Sequence, residues 1–329
     1  MATYQGKRIT FTGKGKVEIL DREQTGPGPG EVLIETICSG VSPGTELSRL
    51  YDTHSAPRPF PQNTGYCSCG RVVELGSGVS GVNIGDVVLA GYGHLSHMVF
   101  DARKVIPVPA GLAQEEAVLV QLGQVGLQGI RHADIRLGDS VLVVGLGLIG
   151  QFAQILARVA GGQPVVGVDL SERRLEMARA TGLTHALNPK APDYKERLAA
   201  LAPNGRFRVT IDSTGTPDVI SGLFERTADD GAVIVLGGVH RPVTLDLYSH
   251  FQKRNLRLIA AGGFSPRHWP HSDLLASERL LLDLLAAGRF PIKPLITHLV
   301  PFEQAPEMYR MLNEAKDQAM GVVFQWKRG

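Results

Sequence analysis

Gly145-Leu146-Gly147-Leu148-Ile149-Gly150 has the glycine spacing of a turn that cradles a phosphate, set between an apolar run at 140–144 and a helix-like run. Gly145 permits the tight turn, Gly147 lets the backbone approach a pyrophosphate, and Gly150 brings helix and strand together. The following helix offers unpaired N–H groups and the positive end of its dipole to the anion. Behind the glycines, Phe152, Ile155, Leu156 and Val159 recur at helical spacing. Asp169 closes a second apolar run at 165–168, about 20 residues downstream, where a ribose-binding carboxylate is expected. A glycine pattern alone says little in a chain with 39 glycines; strand, helix and acid together specify a dinucleotide site. A carboxylate at 169 accepts hydrogen bonds from the two free ribose hydroxyls of NAD. Against a 2′-phosphate it faces like charge, costing up to about 4 kcal/mol at a separation of about 4 Å in a surface-like dielectric. NAD(H) is therefore expected in preference to NADP(H). Arg173 and Arg174 either hold such a phosphate or are solvent-facing charges in the first turn of a helix capped by Ser171.

A site of this kind needs a parallel sheet beneath it. Apolar runs at 186–187, 209–212, 232–236 and 256–260 continue the strand series, and helix-like runs at 171–181, 194–201 and 217–226 lie between them. That alternation implies a doubly wound α/β sheet over 125–294. Residues 1–124 have another texture. Short β-type runs at 32–37, 71–74 and 87–90 are separated by Gly26-Pro27-Gly28-Pro29-Gly30, Gly76-Ser77-Gly78 and Gly85-Asp86, the punctuation of a bent all-β unit. The tail, 295–329, returns to β character around a helix-like run at 302–313, and is expected to rejoin the first domain. Two domains are natural for 329 residues.

Composition narrows the class of partner. A net charge of +2, with no basic run interleaved with aromatics, argues against nucleic acid. No apolar run approaches the roughly 20 residues that span a bilayer, and no charged-then-apolar leader opens the chain. Three cysteines argue against a disulfide framework and for a reducing compartment, so the cytoplasm is expected.

In this order the pieces resemble the medium-chain dehydrogenase/reductase superfamily, which includes zinc alcohol dehydrogenases and quinone oxidoreductases. PGPGEVLIETICSGVS resembles its opening strand and turn, and TGYCSCGRVVELGSGVSGVNIGDVV its second core motif. VLVVGLGLIGQFAQILAR and VGVDLSERRLEMARATG resemble the cofactor motif, while IDSTGTPDVI and DDGAVIVLGG resemble the later strands that flank the nicotinamide. The run LLLDLLAAGRFPIKPLITHLVPFEQAPEMYRML resembles the return to the first domain. The resemblance implies a GroES-like β domain plus a Rossmann domain, with the active cleft between them. It also implies cofactor contacts at Leu148, Ile149, Leu170, Arg174, Ser213, Thr214, Gly237 and Gly238, and a homodimer joined through a sheet edge near 256–260 or 293–299.

The chain departs from its zinc-using relatives at the catalytic centre. Where they carry G-[IV]-C-x-x-D, Gly40-Val41 is followed by Ser42; where they carry G-H-E-x-x-G, the chain reads Gly65-Tyr66-Cys67-Ser68-Cys69-Gly70. The third ligand position aligns with Gln121, and the four-cysteine structural-zinc lobe is missing, so Asp86-Val87-Val88-Leu89 runs on to Gly91. Catalytic zinc needs three ligands of Cys, His or carboxylate type, which Ser42, Tyr66 and Gln121 are not. No zinc is expected. Cys67-x-Cys69 puts two sulfurs on one face of a strand, but with only Cys38 as a further thiol these are expected to be small buried residues. A weaker resemblance is to zinc-less members carrying S-G-[IV]-S-x-G-T-E and G-Y-x-S-x-G-R-V-V-E, among them bacteriochlorophyllide hydroxyethyl dehydrogenases, and it implies alcohol/carbonyl chemistry at a secondary carbon without fixing the substrate.

Without a metal, a side chain must stabilise the developing alkoxide and manage its proton. Tyr66 either does this, its phenol acidified beside the positive nicotinamide, or packs the cleft wall. Thr45 is placed to relay a proton, Ser42 to donate to the substrate oxygen, and Glu46 to act as an anchor or as the base itself. His94 and His97 lie where the zinc lobe is deleted, in a loop expected to be solvated. Tyr51, His94, Gln121 and Trp269 are the candidate pocket residues, with Arg49 and Phe60 beside them and Trp269 in the loop Phe264-Ser265-Pro266-Arg267-His268-Trp269. The expected function is a zinc-independent NAD(H)-dependent dehydrogenase of a secondary alcohol; the alternatives are an NAD(P)H-dependent enoyl or quinone reductase and an inactive nucleotide-binding protein.

Overall fold

Strands of up to 11 residues, interrupted by bulges and glycine turns, dominate the first third of the chain, and strand–helix repeats follow. The computed structural model describes residues 2–54, 56–261 and 274–326. In chain order it runs β1 (Thr3–Gly13), β2 (Lys16–Thr25), β3 (Glu31–Gly40), α1 (Pro43–Leu50), β4 (Gln62–Asn63), β5 (Cys67–Leu75), β6 (Val87–Ala90), β7 (His97–Asp101), β8 (Ile106–Pro107), α2 (Gln114–Ala117) and α3 (Val120–Ala133). Then come β9 (Val141–Val144), α4 (Leu148–Val159), β10 (Val165–Val168), α5 (Glu172–Ala180), β11 (His185–Leu187), α6 (Tyr194–Ala200), β12 (Phe207–Asp212), α7 (Pro217–Arg226), β13 (Thr227–Val235) and β14 (Arg257–Ala260). Last are α8 (Leu274–Ala286), β15 (Ile296–Pro301), α9 (Ala305–Glu314) and β16 (Gly321–Gln325).

The first unit comprises Met1–Leu122, Glu278–Ala286 and Ile296–Gly329. Its larger sheet has the order β15-β16-β3-β5-β6-β8, with β7 pairing β3, and β2-β1-β4 form a second sheet. β16 pairs antiparallel with β3, so the C-terminal segment completes a sheet begun near the N-terminus. Phe11, Val41, Leu50, Tyr309, Val322 and Phe324 bury together and hold α1 and α9 on that frame. The segment Glu278–Ala286, which the sequence places in the second domain, belongs here. Its run of leucines is apolar enough for either core and carries no mark of which one it faces.

The second unit comprises Gly123–Ser277 and Ala287–Leu295. Its six strands, in the order β11-β10-β9-β12-β13-β14, pair in parallel throughout. That is the order of a dinucleotide-binding doubly wound sheet, whose ligands sit beyond the carboxyl ends of the strands where the order reverses. Buried Leu142, Val166, Val168, Phe207, Leu223 and Phe224 hold the helices on it. Among the described residues, no helix is long and apolar enough to cross a membrane.

Candidate functional site

The glycine turn follows β9 and opens α4. Gly145 has φ of +88°, a conformation that an L side chain resists. A Cβ at Gly150 would lie 1.8 Å from the Gly145 carbonyl oxygen, whereas one at Gly147 would meet no atom within 4 Å. The turn is therefore closed on its strand side and open where a ligand approaches the N-cap Gly147 of α4. Asp169, at the tip of β10, accepts from Leu146 N at 2.7 Å and from Ser171 N at 2.8 Å. Arg174 lies 3.6 Å from it, so the acid and the cation of the sequence reading share one place. Leu170 is exposed beside them, and Arg173 is exposed on α5. Ser171 holds the N-cap position of α5 but makes no side-chain cap; Asp169 takes its N–H instead, which corrects the capping expectation.

Two features of this end are not evident in the glycine pattern. Asp212, buried at the tip of β12, accepts from Thr214 N and Oγ1 and from Gly215 N, and so shapes the next loop. Ser213 Oγ donates to the Gly145 carbonyl at 2.7 Å. Gly237 packs against the Gly215 backbone, where a Cβ would meet Gly215 N at 2.2 Å, and Gly238 follows it. Asp212 repeats the position of Asp169, an acid closing a buried strand, and that was its legible signal.

In the first unit the chemistry gathers at the start of α1. Ser42 is the N-cap of α1, yet its side chain does not cap the helix. Glu46 reaches back to accept from Ser42 N at 2.7 Å, a variation on the capping box. The Ser42 hydroxyl is left for Tyr66, whose phenol donates to Ser42 Oγ at 2.6 Å. Thr45 acts on the phenol in the same sense as Ser42, lowering its pKa. Ser42, Thr45 and Tyr66, three positions predicted from sequence, thus meet in one cluster.

Burial is the main reason that the Tyr66 phenol is raised above its ordinary pKa, with smaller contributions from Cys67 and Glu46 outweighing the lowering by Ser42 and Thr45. This corrects the expectation of an acidified phenol for the protein by itself: Tyr66 keeps its proton across the neutral range and is a hydrogen-bond donor.

Glu46 faces away from that cluster into the core. Its carboxylate accepts from Thr64 Oγ1 at 2.9 Å and from the Tyr309 phenol, and lies 3.1 Å from His94 Nε2. Trp326 Nε1 donates to Ser39 Oγ at 2.8 Å, and Ser39 Oγ lies 2.7 Å from His94 Nδ1. Trp326 can only donate. Ser39 therefore accepts from it and bridges to Nδ1, and because a carboxylate can only accept, Nε2 directs its N–H at Glu46. Burial alone would push Glu46 up, but His94, Tyr309 and the Ser42 N–H together hold it below the usual carboxylate range. Glu46 is an anchor, fully committed.

His94 is fully buried with both ring nitrogens engaged, so it is neither a solvated loop histidine nor a pocket residue. The glycine turns around it bring it inside, as Gly65 shows: a Cβ there would lie 2.6 Å from the His94 ring. Gln121, also buried, accepts from Ser68 N at 2.8 Å and donates to Glu278 at 3.5 Å, which leaves its amide one further N–H and one further lone pair. His97, on β7, lies 3.6 Å from Glu35. Tyr51 and Phe60 are partly buried against the core around Leu50. Trp269 and its loop lie outside the described residues. The three cysteines are buried free thiols. Sequence reasoning missed Ser39, Thr64, Tyr309 and Trp326, which are scattered along the chain and carry no spacing signal.

Residues 28–125 match the alcohol dehydrogenase GroES-like domain family, and residues 149–277 match the zinc-binding dehydrogenase family. The chain is 30% identical over 265 residues to a D-guloside 3-dehydrogenase of Escherichia coli K12, covering 78% of this chain and 75% of that one. A short chain alcohol dehydrogenase from E. coli CFT073, solved with NADH, superposes with a TM-score of 0.83 at 20% identity, over 98% of this chain and 99% of that one. A protein from Sinorhizobium meliloti 1021 described as a zinc-binding dehydrogenase, solved with NADP, gives 0.84 at 21% identity, over 98% and 99% of the two chains.

Proposed function

The chain belongs to the medium-chain alcohol dehydrogenase superfamily, and on that premise we propose that it is an NAD(H)-dependent dehydrogenase of a secondary alcohol that works without catalytic zinc. The observation that carries the proposal is the 2.6 Å hydrogen bond from Tyr66 to Ser42, formed by two residues standing where zinc-using relatives place metal ligands. A ligand pair that hydrogen-bonds to itself, one member a phenol holding its proton, is a poor Zn²⁺ donor set. Among the described residues, no group of three His, Cys, Asp or Glu is placed to hold a metal ion.

The glycine turn, the open backbone at Gly147 and the Asp169 carboxylate fit a dinucleotide. Asp169 favours free ribose hydroxyls over a 2′-phosphate, although Arg174 beside it tempers that preference. A nicotinamide held here would supply the hydride chemistry at the substrate carbon. Ser42 Oγ, receiving a hydrogen bond from Tyr66, directs its own proton to the substrate oxygen and stabilises the alkoxide as it forms. In the reducing direction Tyr66 replaces that proton through Ser42 and regains its own from solvent; in the oxidising direction the phenol first gives its proton to solvent, and the phenolate then takes up the substrate proton through Ser42. Thr45 lies at the phenol to pass it on. Glu46, fixing the Ser42 main chain, keeps the donor aimed.

Assays of secondary alcohols with NAD⁺ and of enones with NADPH, with metal content measured in parallel, test this reading. NAD⁺-linked alcohol oxidation by metal-free protein supports it, and NADPH-linked enone reduction alone would replace it. The chain is further proposed to form a homodimer through β14, an edge strand whose Leu258 is exposed. A monomer mass by light scattering at micromolar concentration counts against that assembly.

A further inference from the structure

We propose that Arg49 and Arg58 hold the anionic end, a carboxylate or a phosphate monoester, of a hydroxylated substrate whose alcohol meets Ser42 and Tyr66. This rests on the dehydrogenase reading and names the substrate class of that same site.

Arg49 follows Ser42 by seven residues along α1. That is close to two helical turns, so the two share a face of the helix, with Arg49 about 10 Å further along the axis. Arg49 Nη1 is shut off from solvent and, among the described residues, has no hydrogen-bond partner. A buried guanidinium donor without an acceptor is costly, and such an orphan calls for a group supplied from outside the chain. The neighbouring charge is another cation: Arg49 is lowered from its ordinary pKa by burial first and by Arg58 second. Arg103, Arg174, Arg206 and Arg254 each have a carboxylate partner. Among the described residues, neither Arg49 nor Arg58 has one. A second guanidinium acting on Arg49, with no counterion for either among the described residues, favours an anion between them.

The segment carrying Arg58 is tied down. Buried Gln62 donates Nε2 to the Arg58 carbonyl at 2.8 Å. Its Oε1 is a buried acceptor with no partner, which suits a substrate hydroxyl. The nearest carboxylate along α1, Glu46, is consumed by Ser42, Thr64, Tyr309 and His94 and cannot neutralise the pair. A substrate with an anion about 10 Å from its reacting carbon spans the distance along the α1 face.

Arg49→Gln, Arg58→Gln and, as a charge control, exposed Arg103→Gln are titrated by calorimetry with inorganic phosphate in the presence of saturating NADH. The same proteins are assayed with NAD⁺ on neutral polyols, sugar carboxylates and polyol phosphates. Phosphate is expected to bind the unaltered protein and Arg103→Gln alike. The other two variants should bind it about tenfold or more weakly, as for loss of one partner in a close charge pair. KM for the preferred anionic substrate should rise with kcat little changed, since the lost contact holds ground state and transition state equally. The ranking of carboxylates against phosphates then names the anion. Equal phosphate binding in all four proteins overturns the proposal, as does a fall in NADH affinity in the arginine variants, which would assign the pair to the cofactor. Arginine-dependent phosphate binding with no turnover of any alcohol keeps the anion site and sinks the dehydrogenase reading. Turnover of anionic alcohols with KM unchanged in both arginine variants does the reverse.

Discussion

The cofactor end of the second unit and the Ser42–Tyr66 cluster of the first are built by different means. At the first, the chemistry is main chain: a Gly145 that turns, a Gly150 with no room for a Cβ, and the free N–H groups of α4, finished by one carboxylate from the next strand. Its parts lie within 25 consecutive residues. At the second, the chemistry is side chain, and its supports come from β3, α1, the loop before β5, the loop before β7, α9 and the residue after β16. A backbone site is inherited with the fold, whereas a side-chain site is rewritten residue by residue. The same superfamily frame can therefore carry zinc in one member and a hydroxyl pair in another.

Breaking the side-chain network should do the most damage. Glu46→Gln puts an amide donor against three donors, and removing one partner of a buried ionic network costs about 3 kcal/mol or more. The sign with pH follows from the lowered Glu46 carboxyl. Its contribution is complete above the ordinary carboxylate pKa of about 4.3 and is lost as pH falls through the lowered folded value. Denaturant melts should thus show the gap between the unaltered protein and Glu46→Gln closing below about pH 4, and equal stability at neutral pH would contradict the anchor role.

The backbone site should fail differently, in binding and not in folding. Gly150→Ala places a methyl 1.8 Å from the Gly145 carbonyl oxygen, so the turn must open. NADH affinity by fluorescence titration is expected to drop about a hundredfold, a cost of about 2.7 kcal/mol, with the first unit's network intact. Undiminished affinity would show that the turn is not the phosphate cradle. The smallest effect belongs to Asp169→Ala, which should narrow the preference for NADH over NADPH about tenfold, the scale of one ribose contact. A preference that stays put would move recognition to other residues.

What was legible follows the same division. Gly145, Gly150 and Asp169 announce themselves because glycine and acid at fixed offsets have few other uses between a strand and a helix. Ser42, Thr45 and Tyr66 were found only through resemblance, since a serine, a threonine and a tyrosine have no spacing rule of their own. His94 misled because a histidine between glycines looks like a loop residue, and nothing in its neighbours says that Ser39 and Glu46 will enclose it. Tyr309 and Trp326 lie more than 200 residues from the acid they help to hold, and the pairing of β16 with β3 that delivers Trp326 is a tertiary fact. Asp212 was within reach, being a second acid at the end of a buried strand.

The central claim is that a phenol and a hydroxyl do in this chain what a metal does in its relatives. Its most direct test is turnover of a secondary alcohol with NAD⁺ by protein stripped of metal, with Tyr66→Phe measured beside it. Full activity after stripping is expected, together with unchanged NADH affinity and a loss of turnover in Tyr66→Phe of about 10² to 10⁴, the usual cost of a positioned acid–base group. Activity that vanishes on stripping and returns with zinc, or a Tyr66→Phe enzyme as fast as the unaltered one, would contradict it.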